Sequence, residues 1–273
     1  AAGRRWGRRA GLGRVGRGRG RLRQPLRARL NLPPVRNILT EWCFSPDLNL
    51  AFFPEWFAPE AFPHPLEIVP VGFPLCDAAQ PSPLPGDAAK FLLAADRPLV
   101  LAQSTLSSAR SRRFFEAGIQ AAAQLDRRVL LLTTNPDSVP QPLPSHAAYY
   151  GFLPVSQVLP HAAALVHHGG LGMIAQALNA GVPQVTVPGF LDQPDNARHL
   201  QAIGVSENLP PRRLSARSLA SRLEGLLHSE TVADSCRELT DWVRRQSAFE
   251  RACLLLEERF GDLGRSTQHK RSA

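Results

Sequence analysis

From residue 98 onward, short apolar runs alternate with longer stretches that carry apolar residues at helical spacing. The runs at 99–102, 129–133 and 163–167 are nearly continuous in Val, Leu and Ala, as strands buried on both faces require, and a further strand is predicted at 184–188. A weaker strand is predicted within 146–151 and a short edge element at 205–209. Between them the spacing predicts helices at about 112–125, from Met173 to the Gly181-Val182-Pro183 stop, and at 194–203, with a short helical turn at 158–162. Residues 215–228 and 231–260 read as mostly helix, with Ser215 or Ser218 as a cap for the first. Strands alternating with helices predict an α/β fold built on a doubly wound parallel sheet.

The first third of the chain is less regular. Residues 1–23 are rich in Arg and Gly, lack apolar periodicity, and are expected to be disordered. Residues 24–47 suggest a short helix and a loop, and two strand-like runs follow at 48–53 and 66–71, each bounded by prolines. The proline-rich stretch 74–96 has the composition of an inter-domain linker. The expected division is therefore a tail (1–23), a small N-terminal portion (24–73), a linker (74–96), a main domain (97–260) and a disordered C-terminus (261–273).

The formal charge of +9 would suggest a nucleic-acid binder, but its location changes that reading. Residues 1–30 hold 11 arginines and no acidic residue, and the remainder carries 21 basic against 23 acidic residues. The basicity belongs to the tail, so nucleic acid is not expected as a partner of the folded part. The four cysteines, Cys43, Cys76, Cys236 and Cys253, show no paired spacing and read as reduced thiols, which fits a cytoplasmic location. No apolar run reaches the ~18–20 residues of a membrane span. No signal peptide is apparent, and a start without methionine suggests a piece of a longer chain.

The most informative stretch runs from His167 to Asn196, HHGGLGMIAQALNAGVPQVTVPGFLDQPDN. Strand, glycine turn, helix, turn and strand make one unit of a parallel sheet, whose ligands sit at the carboxyl ends of the strands. The glycines of His168-Gly169-Gly170-Leu171-Gly172 let a phosphate approach the backbone, and the helix start supplies free N–H groups and a positive dipole end. His168 is placed to assist. A purely structural histidine and an ordinary glycine turn would leave the same trace, and alternation sends His167 to the opposite face of the strand. Asp192 could contact a ligand or cap the following helix.

An ordered set of segments resembles the donor-binding half of a family 1, UDP-glucosyltransferase-like glycosyltransferase of the GT-B fold, bacterial type. The set comprises RPLVLAQST, GFLPVSQVLPHAAALVHHGGLG, GVPQVTVP and FLDQPDNARHL, with FFPEWFAP and VGFPL upstream. The resemblance implies that Phe152 stacks on the donor base and that backbone groups at Val155 read its pyrimidine edge. It implies that His168 contacts the diphosphate together with the Gly170, Leu171 and Gly172 amides, and that Ser104 or Thr105 lies near the phosphate. Gln176 would meet the ribose, where many relatives have glutamate, and Asp192 and Gln193 the sugar hydroxyls. Two departures weaken the phosphate grip: Met173 replaces a common hydroxyl residue and Gln103 a glycine.

The function so implied is transfer of a hexose from a UDP- or dTDP-sugar to a small-molecule hydroxyl acceptor, with inversion. There is no Asp-x-Asp pair, so no metal is expected and the mechanism reads as metal-independent; no cofactor is expected besides the donor substrate. No residue fits the catalytic base, which the resemblance places in an acceptor half of which residues 24–73 would be a remnant. A sugar-nucleotide epimerase of the same fold and a non-catalytic nucleotide- or RNA-binding remnant remain the alternatives.

Overall fold

Four-residue strands of Val, Leu and Ala are too short to hold a sheet by themselves, and they persist here because helices cover both of their faces. The computed structural model describes residues 25–34, 43–61, 66–77, 83–94, 96–103 and 108–269. These divide into two compact units, one formed by residues 1–72 with 247–273 and the other by residues 73–246.

The larger unit carries a six-stranded sheet in which every neighbour is parallel. Its strands are β3 (Leu99–Ala102), β4 (Val129–Leu132), β5 (Ala147–Tyr150), β6 (Ala164–His167), β7 (Gln184–Thr186) and β8 (Ser206–Asn208), numbered after two strands of the smaller unit. Their spatial order is β5-β4-β3-β6-β7-β8, so the winding reverses between β3 and β6. A crevice opens at the carboxyl end of such a reversal, and ligands of open α/β sheets bind there.

Alternation divides the core. Leu99, Leu101, Val129, Leu131, Ala164 and Val166 face one side, where they meet Phe114 and Phe115 of α2 (Ser108–Gln124) and Leu219 and Leu223 of α6 (Ala216–Leu227). Val100, Ala102, Leu130, Leu132 and Leu165 face the other. There they meet Val158 of α3 (Val155–Val158), Ala177 of α4 (Leu171–Ala180), and Ala88 and Leu92 of α1 (Gly86–Leu93). Helix α6 starts in a reciprocal capping box between Ser215 and Ser218, as its sequence suggested. Helix α4 ends at Gly181, whose φ of 70° favours a residue without a side chain. Helix α5 (Gln193–Ala202) follows β7, and α7 (Glu230–Arg244) packs on α4, with Thr240 Oγ1 2.8 Å from the Leu178 carbonyl.

Three boundaries differ from the sequence reading. Residues 74–96 are not simply a linker, because α1 forms there and buries Ala88 and Leu92 in the main core. The proline content masked an eight-residue amphipathic segment, and Arg128 holds its far end through the Phe91, Ala94 and Asp96 carbonyls. The helix expected at 231–260 breaks at 245–247 into α7 and α8 (Ala248–His269), and α8 belongs to the smaller unit. Finally, α8 continues through residues 261–269, so that part of the expected disordered C-terminus is helical. Gly261 and Gly264 each cost a helix only about 1 kcal/mol, and no proline follows to stop it.

In the smaller unit, β1 (Asn49–Ala51) pairs in parallel with β2 (Ile68–Pro70). Val71 packs there with Ala248 and Ala252 of α8, and Phe52 meets Phe249 at 5.9 Å between ring centroids. The tail at 1–23 lies outside the described residues, as do Ser104 and Thr105. Among the described residues no helix is long and apolar enough to cross a membrane, and the four cysteines are unpaired.

Candidate functional site

Strand β6 ends at His167 beside Ala102 of β3, so the turn that follows opens at the reversal of the sheet. Gly169 adopts a φ of 86°, a left-handed conformation that glycine takes without penalty. This turns the chain sharply into α4, whose N-cap is Gly170. The first helical bond in α4 runs from Ile174 N–H to the Gly170 carbonyl. The amides of Leu171, Gly172 and Met173 therefore have no intrahelical acceptor and point out of the helix start. A bound anion would be met there by free N–H groups and the positive end of the helix dipole.

The two histidines divide as alternation predicts. His167 is fully buried, its Nε2 3.0 Å from Gln184 Oε1, while its Nδ1 accepts the Gly169 N–H at 3.3 Å. It fixes the turn from below. His168 is only partly buried, and its Nε2 would lie 2.7 Å from a Cβ placed on Gly170. The imidazole thus sits against the phosphate turn, and its Nδ1 is buried without a hydrogen-bond partner. Burial lowers the His168 pKa, and the nearby Asp192 carboxylate partly offsets that. At neutral pH the group is a neutral imidazole offering one N–H.

Asp192 and Gln193 come to the same turn from β7. Asp192 occupies the N-cap of α5, yet its carboxylate makes no capping bond. Instead Asn196 Nδ2 reaches both Asp192 Oδ2, at 2.8 Å, and the Gly169 carbonyl, at 2.9 Å. Gln193 uses Oε1 to accept the N–H groups of Gly189 (2.8 Å) and Phe190 (3.2 Å), which fastens the loop before α5. Between them Leu191 holds a φ of 59°, a left-handed conformation costing about 1–2 kcal/mol for a residue with a side chain. Phe190 projects from this loop half exposed. A Cβ on Gly169 would stand 3.2 Å from the Gln193 carbonyl oxygen, so glycine is what allows turn and loop to approach.

The fold therefore brings His168, Gly170, Leu171, Gly172, Asp192 and Gln193 into one cluster. Phe152 lies in the loop after β5 with half its surface exposed, and Val155 opens α3, packed on the same core face as Met173. Gln176 is buried at 6 % exposure and donates Nε2–H to the Cys76 carbonyl at 3.1 Å, so this amide proton is already used within the chain. Asn196 was not singled out by the sequence. The signal that could have found it is its spacing four residues after Asp192, which puts both on one face of α5.

Residues 116–247 match the family described as erythromycin biosynthesis protein CIII-like, C-terminal domain. The chain is 35 % identical over 170 residues to O-mycaminosyltylonolide 6-deoxyallosyltransferase of Streptomyces fradiae, covering 62 % of this chain and 39 % of that protein. It is 29 % identical over 185 residues to UDP-glucuronosyltransferase 2B9 of Macaca fascicularis, covering 66 % and 34 %. The chain thus spans well under half the length of these curated relatives. Among solved structures, the glycotransferase of kitacinnamycin superposes with a TM-score of 0.69 at 22 % identity, covering 88 % of this chain and 61 % of that one. The calicheamicin glycosyltransferase superposes with a TM-score of 0.61 at 24 % identity, covering 87 % and 57 %.

Proposed function

We propose that this chain is part of a family 1 glycosyltransferase of the GT-B fold and supplies the donor side of a glycosyl transfer; the match of residues 116–247 to the erythromycin biosynthesis protein CIII-like C-terminal domain supports this reading. The donor is a UDP- or dTDP-hexose and the acceptor a small-molecule hydroxyl. The observation that carries this reading is the turn at Gly169–Gly172, with free amides, a neutral imidazole and the Asp192 carboxylate meeting at the reversal of the sheet.

In this reading the departing diphosphate lies on the amides of Leu171 and Gly172, with His168 Nε2–H as a further donor. Loss of one such donor typically costs about 3–4 kcal/mol of barrier, a factor of roughly 10²–10³. Backbone N–H groups also require no proton transfer to act, so this part of the stabilisation is present over a wide pH range. Asp192 receives a sugar hydroxyl, and the exposed Phe152 ring offers a face on which a base can stack. The transfer is inverting and needs no metal ion in this scheme, since amides and imidazole carry the leaving-group charge. The base that activates the acceptor is assigned to a part of the enzyme other than these residues, and the cytoplasm is the compartment in which the donor is met.

The test is calorimetry of the 273-residue chain with UDP and dTDP, beside His168→Ala. Submillimolar binding that weakens at least tenfold in the variant supports the assignment. Absence of binding, or equal affinity in the variant, removes it.

A further inference from the structure

Asn196 joins the phosphate turn to the Asp192 carboxylate through its side-chain amide. Its Nδ2 lies 2.9 Å from the Gly169 carbonyl and 2.8 Å from Asp192 Oδ2, and the residue is 6 % exposed. We propose that Asn196 is a positioning residue for the donor, a clamp that holds the Asp192 carboxylate toward the sugar and locks it to the diphosphate turn. The proposal rests on the donor reading of this cluster.

An aspartate at an N-cap ordinarily turns back to accept the amides of the first helical turn. Asp192 makes no such bond: its backbone lies in the right-handed helical region (φ −78°, ψ −18°) instead of the extended conformation of a capping residue, and its Oδ2 accepts from Asn196, one helical turn on and on the same face. That leaves Oδ1 free to accept a hydroxyl. The same NH₂ group donates to the Gly169 carbonyl, which anchors the amide and so the carboxylate it holds.

Only a short amide performs both tasks. A primary amide nitrogen has two protons, one for each acceptor. Aspartate offers no donor and would set a second carboxylate against the first, serine has a single proton, and glutamine is one methylene too long for a buried site. Asn196 therefore acts through Asp192, anchored on the Gly169 carbonyl, without touching the donor.

The intact chain is titrated calorimetrically with UDP and with UDP-glucose, in the wild type, N196A, N196D, D192A and the double variant N196A/D192A, with thermal melts of each. The clamp predicts that N196A weakens UDP-glucose about tenfold or more, the loss expected when a hydrogen bond to a charged group goes, while UDP changes by less than about threefold. N196D is weaker still. In the D192A background, adding N196A changes UDP-glucose affinity by no more than about twofold, since the carboxylate it served is gone. Additive losses, or equal losses for both ligands, overturn the proposal, for they would mark Asn196 as a general packing residue. If N196A fails to fold, N196S retains one of the two bonds and is read in the same way. Wild-type chain that binds neither ligand sinks the donor reading and the clamp with it. Wild-type binding that N196A leaves unchanged sinks the clamp alone.

Discussion

His167 and Gln184 meet inside the sheet, with the imidazole Nε2 of one 3.0 Å from the amide Oε1 of the other and both side chains wholly buried. Because Oε1 can only accept and the Gly169 N–H on Nδ1 can only donate, the ring is held as the neutral tautomer with its proton on Nε2. Burial pulls its pKa down to about 3, helped by neighbouring His168 and opposed by the bond to Gln184. The folded pKa lies below the unfolded value near 6.5, so acid favours the unfolded chain, which takes the proton first. Stability falls as pH drops below about 6.5, by up to about 1.4 kcal/mol per pH unit, and His167 alone removes about 2 kcal/mol between pH 7 and pH 5. Urea unfolding at the two values checks this, and an imidazole titrating normally by NMR would contradict it.

Gly170→Ala separates binding from folding. Its φ of −75° suits alanine, so the backbone is not strained, but the new methyl would stand 2.7 Å from His168 Nε2. The ring must swing off the turn. UDP affinity is expected to fall about tenfold, while the melting temperature moves by no more than about 2 °C, since a half-buried helix cap without its own side-chain bond contributes little. A variant that binds like the wild type would show that the imidazole does not need its place against Gly170.

Leu92→Ala tests whether α1 is part of the folded unit. Leu92 is 2 % exposed and packs with Val100 and Leu130. Truncating a buried leucine costs about 2–5 kcal/mol, whereas the same change in a true linker would cost less than about 0.5 kcal/mol. Chemical unfolding of the pair distinguishes the two directly.

The central strands β3, β4 and β6 were legible in the sequence because each is a short apolar run buried on both faces, whereas the half-buried β5 and the polar edge strand β8 left a weaker trace. The glycine turn was equally plain, since a left-handed residue beside a helix start has few sequence solutions. What escaped was set by tertiary packing. GDAAKFLL looks like linker between prolines until Val100 and Leu130 give Leu92 somewhere to go. The use of Gln176 on the Cys76 carbonyl depends on a residue a hundred positions away. Asn196 looked like any polar helix residue, and only the Gly169 carbonyl reveals what its second proton does.

The passage of α8 back into the smaller unit makes that unit discontinuous along the chain. A protease nick between residues 72 and 86 would divide the polypeptide into two pieces, yet the second piece would keep α8, which packs on Val71 of the first. Denaturing electrophoresis would then report two bands while a sizing column still reported one particle. Conversely, a stop codon placed after residue 246 removes no strand of the six-stranded sheet, but it strips β1 and β2 of the helix they lean on.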